Sequence, residues 1–459
     1  FNQQQYFNQR NTRVFNLCSS FGYQSKGYYV SLLAEARGHR PIPDVKNLQD
    51  SKSASIIRNL TDDLDNQLQR SLKNIRSNQF ELSVYFGKNV SDQYSRIAKE
   101  LHRLFPMPLF RAKFAKTDKW FVQTIRAIGL SEVPEHHIDF MRDAALEYFD
   151  KKRYNRAKES SAKFDLAILI KPEEEAPPSD KKALEKFKEI AEKNDFFVEF
   201  ITKEDSARLN EFDALFIRTT TSVNHYTYRM ARKAESAGLV VIDDPSSILK
   251  CANKVYLAEL LRNAKIATPK TLIIHSDNRK EVVEALGLPC ILKLPDSSFS
   301  LGVIKVSTQE ELDEKLKEML EHSDLVVGQE FRPTAFDWRI GVIEGKAFYA
   351  CKYFMASGHW QIYNWGSEEK EDVMGEFETL PLEKVPEKVV KLAEEATWLI
   401  GKGLYGVDIK ELDGEPVIIE INDNPSIDFG VEDLVAGDEV YRKIIESIRT
   451  RLHQRLGMK

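Results

Sequence analysis

Cysteine is scarce in this chain of 459 residues: Cys18, Cys251, Cys290 and Cys351 are its four, widely scattered and with no Cys-x-x-Cys pair. That spacing offers no disulfide framework, and a reducing cytoplasm is the expected location. No apolar run approaches the ~20 residues needed to span a bilayer, and the opening residues carry no signal-peptide pattern, so no membrane partner is expected. The first residue is Phe1 rather than Met, and the natural N-terminus is therefore expected to be missing or processed. Nor is charge of one sign in excess. A net charge of −5 and a pI of about 6.1 argue against a mainly nucleic-acid-binding protein. A GxxxxGK[ST] phosphate loop is missing, and no internal repeat is read. What remains, 42% hydrophobic and 30% charged residues with mean hydropathy −0.42, describes a globular enzyme-like chain.

The length suggests about three domains, each able to bury its own core. Val14–Cys18 reads as a strand entering the loop Ser19–Tyr23, with a helix ending at Gly38. A second strand, Glu81–Gly87, precedes a helix at about 91–104, so residues 1–158 are expected to form an α/β domain. The charged stretch Lys151–Lys158 reads as a linker. Strands at Asp165–Ile170, Phe196–Ile201, Ala214–Arg218 and Val240–Ile242, with a helix at Lys181–Asn194, give residues 159–250 a βαβ rhythm and hence a small parallel sheet. Residues 251–459 mix helices with antiparallel-looking strands. The fold class is therefore α/β followed by α+β.

Chemistry concentrates near the C-terminus. Gly406-Val407-Asp408-Ile409-Lys410, a turn at Asp413-Gly414, and Val417-Ile418-Ile419-Glu420-Ile421-Asn422 read as a hairpin. With Val407, Ile409, Ile419 and Ile421 on the buried face, the period-two rule gathers Asp408, Lys410, Glu420 and Asn422 on the other. Asp408 then faces Glu420, which a plain two-residue turn does not allow, so a three-residue loop or a bulge is expected. Asp408, Glu420 and Asn422 are hard oxygen donors suited to Mg²⁺, although an ordinary hairpin with a solvated acidic face shows the same pattern.

Two lysines precede the hairpin. Lys254 follows Asn253 at a helix start, and Lys293 ends the strand Cys290–Leu292 before the Ser/Gly loop containing Ser298. A lysine in such a setting meets phosphate oxygens, though taken singly each reads more readily as a solvated surface charge. Between them and the hairpin lies the strand exit Gln329-Glu330-Phe331, a candidate adenine hinge, then Asp337-x-Arg339, two residues sharing one strand face.

In this order the motifs resemble the ATP-grasp enzymes, most closely the RimK-like carboxylate–amine ligases, over about residues 165–445. The N-terminal segment resembles the extra domain that precedes some of them. The resemblance implies a small α/β domain ahead of a two-part ATP clamp. It also implies that Lys254, Lys293 and the Ser298 loop bind ATP phosphates, that Gln329, Glu330 and Phe331 hold adenine, and that Asp337 lies by the nucleotide. Asp408, Glu420 and Asn422 would hold Mg²⁺, with Mn²⁺ as a substitute, while Arg339, Lys352 and Asn364 would serve catalysis.

The substrates implied are amino acids or peptides, and the protein is expected to be a homo-oligomer. The chain departs from the family pattern mainly between Lys352 and Asn364. Lys352-Tyr353 stands where an arginine is expected, and Gly358-His359-Trp360-Gln361-Ile362-Tyr363-Asn364 has lost another. That stretch is expected to line the acceptor pocket. The implied activity is ATP-dependent amide formation through an acyl phosphate, the alternative being an ATP-grasp phosphotransferase or a non-ligating ATP-binding regulatory protein.

Overall fold

A computed structural model describes residues 12–149, 162–296, 302–356, 360–362 and 375–455. The chain forms two compact units, Phe1–Asp165 with Glu204–Asp213, and Leu166–Lys203 with Ala214–Lys459. Among the described residues, no helix is long and apolar enough to cross a membrane.

The first unit opens with β1 (Arg13–Phe15), α1 (Lys26–Ala36), β2 (Arg40–Ile42) and α2 (Val45–Asp50), β1 and β2 pairing in parallel. Helices α3 (Ala54–Thr61) and α4 (Asp65–Leu72) lead to β3 (Gln79–Tyr85). After it come α5 (Ser95–Leu104), β4 (Leu109–Lys116), β5 (Trp120–Ala127) and α6 (Ile138–Phe149). Strands β3, β4 and β5 make an antiparallel sheet rather than an extension of the parallel pair. Its apolar face, including Leu82, Val84, Phe110, Ala112 and Phe114, buries against Ile57, Leu68, Ile97 and Leu101 of the helices.

In the second unit β6 (Phe164–Leu169), α7 (Lys181–Lys193), β7 (Phe196–Ile201), β8 (Ala214–Ile217), α8 (Tyr226–Ser236) and β9 (Val240–Ile242) give a sheet in the order β7-β6-β8-β9. β6, β8 and β9 run parallel, as the βαβ rhythm implies. Helix α7 starts where Asp180 accepts the Ala183 amide at 2.8 Å, and it buries Ala183, Phe187, Ile190 and Ala191.

Helices α9 (Pro245–Ala252) and α10 (Lys254–Asn263) follow. An antiparallel sheet then forms from β10 (Thr271–Ile274), β11 (Cys290–Lys293), β12 (Val303–Val306) and β13 (Val326–Glu330), with α11 (Val282–Leu286) and α12 (Gln309–His322) on it. A second antiparallel sheet is built from β14 (Phe336–Ile343), β15 (Lys346–Phe354), β16 (Phe377–Leu380), β17 (Leu404–Leu412) and β18 (Glu415–Asp423), in the order β16-β15-β14-β17-β18. Helix α13 (Glu387–Trp398) covers one face of this sheet, and α14 (Asp438–Arg455) closes the described chain. Val389, Ala393 and Ala396 of α13 pack on Trp338, Ile340, Val407, Ile409, Ile418 and Ile421, which leaves the opposite face for Asp337, Arg339 and Asp408.

The expectation of no internal repeat is overturned. The segment α1-β2-α2 recurs as α8-β9-α9, each element starting 200 positions later. Gly38 and Gly238 both take the left-handed turn that ends the helix, with φ of 72° and 77°. Asp44 and Asp244 both cap the next helix. Val30 and Met230, Ala34 and Ala234, Leu48 and Ile248 fill matching buried positions. The repeat escapes a reading by residue type because what is kept is geometry at a few sparse positions, while most side chains between them differ.

Candidate functional site

The hairpin of β17 and β18 shows how the chain gathers its acids. Asp413 and Gly414 both have positive φ, 55° and 83°, which makes a tight two-residue turn between Leu412 and Glu415. The register then slips between Asp408 and Ile409: Ile409 faces Ile418, and Asp408 faces Glu420. The extra residue is Ile419. This bulge, one of the two devices expected, corrects the face assignment: Ile418 joins the core and Ile419 lines the cleft.

Asp408, Glu420 and Asn422 all line one cleft of about 230 Å³ in the second unit, together with Lys254, Lys293, Gln329, Glu330, Phe331, Asp337 and Arg339. Most of the candidates from the sequence thus converge. Asn253 caps α10 by accepting the Tyr256 amide at 2.9 Å, and the Lys254 amide donates to the Pro295 carbonyl at 2.9 Å, tying the helix start to the strand-end loop. Lys254 Nζ lies 2.9 Å from Glu420 Oε1. Lys293, at the end of β11, donates to Gln329 Oε1 at 2.9 Å across the β11–β13 ladder. Arg339 grips Asp408 with two nitrogens, Nη2 lying 3.1 Å from Oδ2, and the Asn422 amide donates to the same oxygen at 3.1 Å.

Burial and charge set the protonation of these groups. Burial pushes the Lys293 ammonium down to about 8 even though Glu420 opposes it. Burial also works to raise Glu420, but Lys254 and Lys293 outweigh it and hold the carboxyl below its usual range. Asp408 is raised by burial, which Arg339 offsets only in part. Glu420 is the more firmly ionised of the pair.

The donor set fits a hard cation. Two carboxylates and an amide oxygen share one strand face, and among the described residues there is no cluster of three or more His, Cys, Asp or Glu side chains that would complete a site alone. The remaining oxygens must come from elsewhere, as with Mg²⁺ on substrate phosphates. In this structure Lys254 and Arg339 supply the positive charge beside those carboxylates.

At the hinge, Glu330 pairs by its backbone with Lys270, and its carboxylate accepts the Lys270 amide at 2.9 Å. The Phe331 ring lies under Lys305 Nζ at 4.1 Å and meets Trp360 edge-on at 6.0 Å. Asp337 is held by Lys410 at 2.6 Å and by the Thr334 hydroxyl at 3.0 Å.

Lys352 is not brought into the cleft. It pairs across the ladder with Trp338, one position out of phase with Asp337 and Arg339, so it shares the face of Trp338. There it lies 4.9 Å and 5.2 Å over the Phe336 and Trp338 rings and 3.1 Å from Glu378. Tyr353 is buried, with Arg339 5.6 Å over its ring and its hydroxyl bonded to Glu432. Trp360, Gln361 and Ile362 do line the cleft. Ser298, His359, Tyr363 and Asn364 lie outside the described residues.

Residue typing alone missed one wall of the cleft, built by Thr220 and Thr221 after β8 and by Asp423, Asn424 and Pro425 at the end of β18. Fully buried Arg218 joins them: it donates to Asn424 Oδ1 at 2.8 Å, to the Pro425 carbonyl at 2.9 Å and to Ser179 Oγ at 2.8 Å. The available signal was position, since both segments lie at a strand end, where α/β sheets bind ligands. Burial raises the Asp423 carboxyl to about 7.

Residues 1–144 match the family model described as the RimK-like ATPgrasp N-terminal domain, and residues 260–428 match that of the D-ala D-ala ligase C-terminus. A protein of Teredinibacter turnerae named probable alpha-L-glutamate ligase is 25% identical over 250 residues, covering 53% of this chain and 78% of its own. One of the same name from Halorhodospira halophila is 26% identical over 259 residues, covering 55% and 81%. Among solved structures, the D-alanine–D-alanine ligase of Bacillus anthracis superposes with TM-score 0.49 at 18% identity over 64% of this chain and 99% of its own. A RimK domain ATP-grasp protein of Sphaerobacter thermophilus gives 0.47 at 16% identity over 62% and 99%.

Proposed function

We propose that the chain is a RimK-like ATP-grasp ligase: ATP activates a carboxylate as an acyl phosphate, and an amine displaces the phosphate to leave an amide. The observation that carries this reading is the convergence of Asp408, Glu420 and Asn422 with Lys254, Lys293 and Arg339 in one cleft. A carboxylate is a poor electrophile toward an amine at neutral pH. Its oxygen therefore bonds to the γ-phosphorus of ATP as the bond to the bridging oxygen breaks, releasing ADP. The amine nitrogen then bonds to the acyl carbon, the acyl–oxygen bond breaks, and phosphate leaves with loss of a proton from nitrogen.

Such chemistry asks the protein for alignment and charge neutralisation rather than a nucleophile. Lys254 and Lys293 hold the phosphates, Gln329, Glu330 and Phe331 hold adenine, and Asp337 lies by the nucleotide. Arg339 stabilises the transferring phosphoryl group. Asp408, Glu420 and Asn422 would hold Mg²⁺, which would neutralise phosphate charge. The substrates we infer are amino acids or peptides, in keeping with relatives named for glutamate ligation. We further propose a cytoplasmic homo-oligomer with no nucleic-acid partner, and a division into residues 1–158, 159–250 and 251–459.

A phosphotransferase or a non-ligating ATP-binding role is the second reading. It is favoured by one observation: Lys352, the cation standing where the family arginine is expected, faces away from the cleft. Measuring ADP formation separates the two. Release that requires both a carboxylate and an amine, with a condensed product mass, supports ligation, whereas phosphate retained on one substrate or ATP binding without turnover supports the alternative.

A further inference from the structure

Charge pairing sets one buried acid of the cleft apart. Asp337 is neutralised by Lys410, Asp408 by Arg339 and Glu420 by Lys254. Asp423 is as buried, 9% exposed, yet among the described residues no lysine or arginine forms an ion pair with it. Its partner is a hydroxyl: Thr221 Oγ1 donates to Asp423 Oδ2 at 2.7 Å. Both residues line the cleft.

This pair is held rigidly. Asn424, next in the chain, sits in the left-handed region with φ of 46°, receives Arg218 on its carbonyl oxygen and donates to the Thr219 carbonyl at 2.7 Å. Arg218 also binds the Pro425 carbonyl, so the segment after β18 is fastened to the end of β8 beside the Asp423–Thr221 contact. A carboxylate fixed this way cannot turn out to water to relieve its burial. Desolvation of a charge without a counter-charge is costly, and a bound cation removes that cost. One carboxylate with one hydroxyl gives too few oxygens for a divalent metal but suits the N–H donors of an ammonium group.

We propose that Asp423 and Thr221 form the subsite that recognises the ammonium group of an amino-acid or peptide substrate. The inference rests on the ligase reading and deepens it: phosphates meet the lysine-bearing wall, and the substrate's ammonium meets the wall formed by Thr221 and Asp423. Asp423 is thus a specificity-determining residue. It distinguishes an α-amino acid from the α-hydroxy acid of the same shape, since a neutral hydroxyl leaves the buried charge uncompensated.

The test uses the full chain with Mg²⁺ and a non-hydrolysable ATP analogue. Calorimetry measures alanine against lactate, glutamate against 2-hydroxyglutarate, and phenylalanine against phenyllactate. In the parent, at least one amino acid should bind ten-fold or more tighter than its hydroxy acid. Asp423→Asn, which keeps the side chain's shape, should erase that preference while leaving the Kd of the nucleotide within two-fold, and Thr221→Val should reduce it several-fold. An unchanged preference in Asp423→Asn, or none for any pair in the parent, overturns the proposal. Failure of the ligase reading shows separately, as ammonium-selective binding without amine-dependent ADP release.

Discussion

Arg339 stands directly across the β14–β17 ladder from Asp408 and grips its carboxylate with two guanidinium nitrogens. The cation proposed to stabilise the transferring phosphoryl group is therefore parked on a carboxylate proposed to bind metal. Metal on Asp408 would release it toward the phosphate, coupling the two events.

Arg339→Met should lower kcat by about 10²–10³-fold, the usual cost of one transition-state donor, with a much smaller change in the KM for ATP. Arg339→Lys should recover only part of it, because a point charge cannot reproduce the two-pronged hold. Steady-state ADP release checks both. Equal losses in kcat and in ATP affinity would make Arg339 a ground-state binding residue instead.

Glu420→Gln should abolish turnover and leave the fold intact. The substitution keeps the shape but removes the charge that Lys254 faces at 2.9 Å and the metal would share. Circular dichroism unchanged from the parent, with ADP release at background, is the expected pair of results. Appreciable turnover by this variant would remove Glu420 from the metal site.

The pH dependence of ATP binding should report Lys293. Its ammonium gives up a proton at about 8 in the folded chain, against roughly 10.4 for an unperturbed lysine. Between those values the unfolded chain binds the extra proton, so this group makes the nucleotide-free protein gain stability as pH rises above 8. Nucleotide affinity should move the opposite way, since only the charged form attracts phosphate. Titration calorimetry from pH 7 to 9.5 should show the Kd for ATP rising above pH 8 in the parent and flat in Lys293→Arg, whose charge persists. Lys254→Met and Lys293→Met should each weaken ATP binding more than they shift the melting temperature.

Much of this was legible from residue pattern because strands impose a strict alternation. Val407, Ile409 and Ile421 identify the buried face of the hairpin, and Asp408 opposite Glu420 follows once a bulge is allowed. The position of the bulge was not legible, since Ile418 and Ile419 are equally apolar and only packing on α13 decides which turns inward. Asp423 and Thr221 were harder still. Their meeting spans some two hundred residues and depends on Arg218 fastening two strand ends. The repeat of α1-β2-α2 in α8-β9-α9 was obscured for a related reason: turns and caps are conserved as geometry, which few residue identities reveal.

The stretch from Lys352 to Asn364 now divides. Lys352 lies over the Phe336 and Trp338 rings on the face away from the cleft, so Lys352→Ala should leave the KM of every substrate near the parent's and cost about 0.5–1 kcal/mol of stability at most, the size of an exposed cation–π contact. Trp360 instead meets Phe331, the residue proposed to hold adenine, at 6.0 Å. An aromatic pair of this kind fixes the ring that a base would stack on, and its loss should be felt first by the nucleotide. Trp360→Ala is therefore expected to raise the KM for ATP several-fold, with little change in the range of amines used. If amine selectivity shifts and ATP affinity does not, Trp360 belongs to the acceptor wall, as the departure of this stretch from the family pattern had suggested.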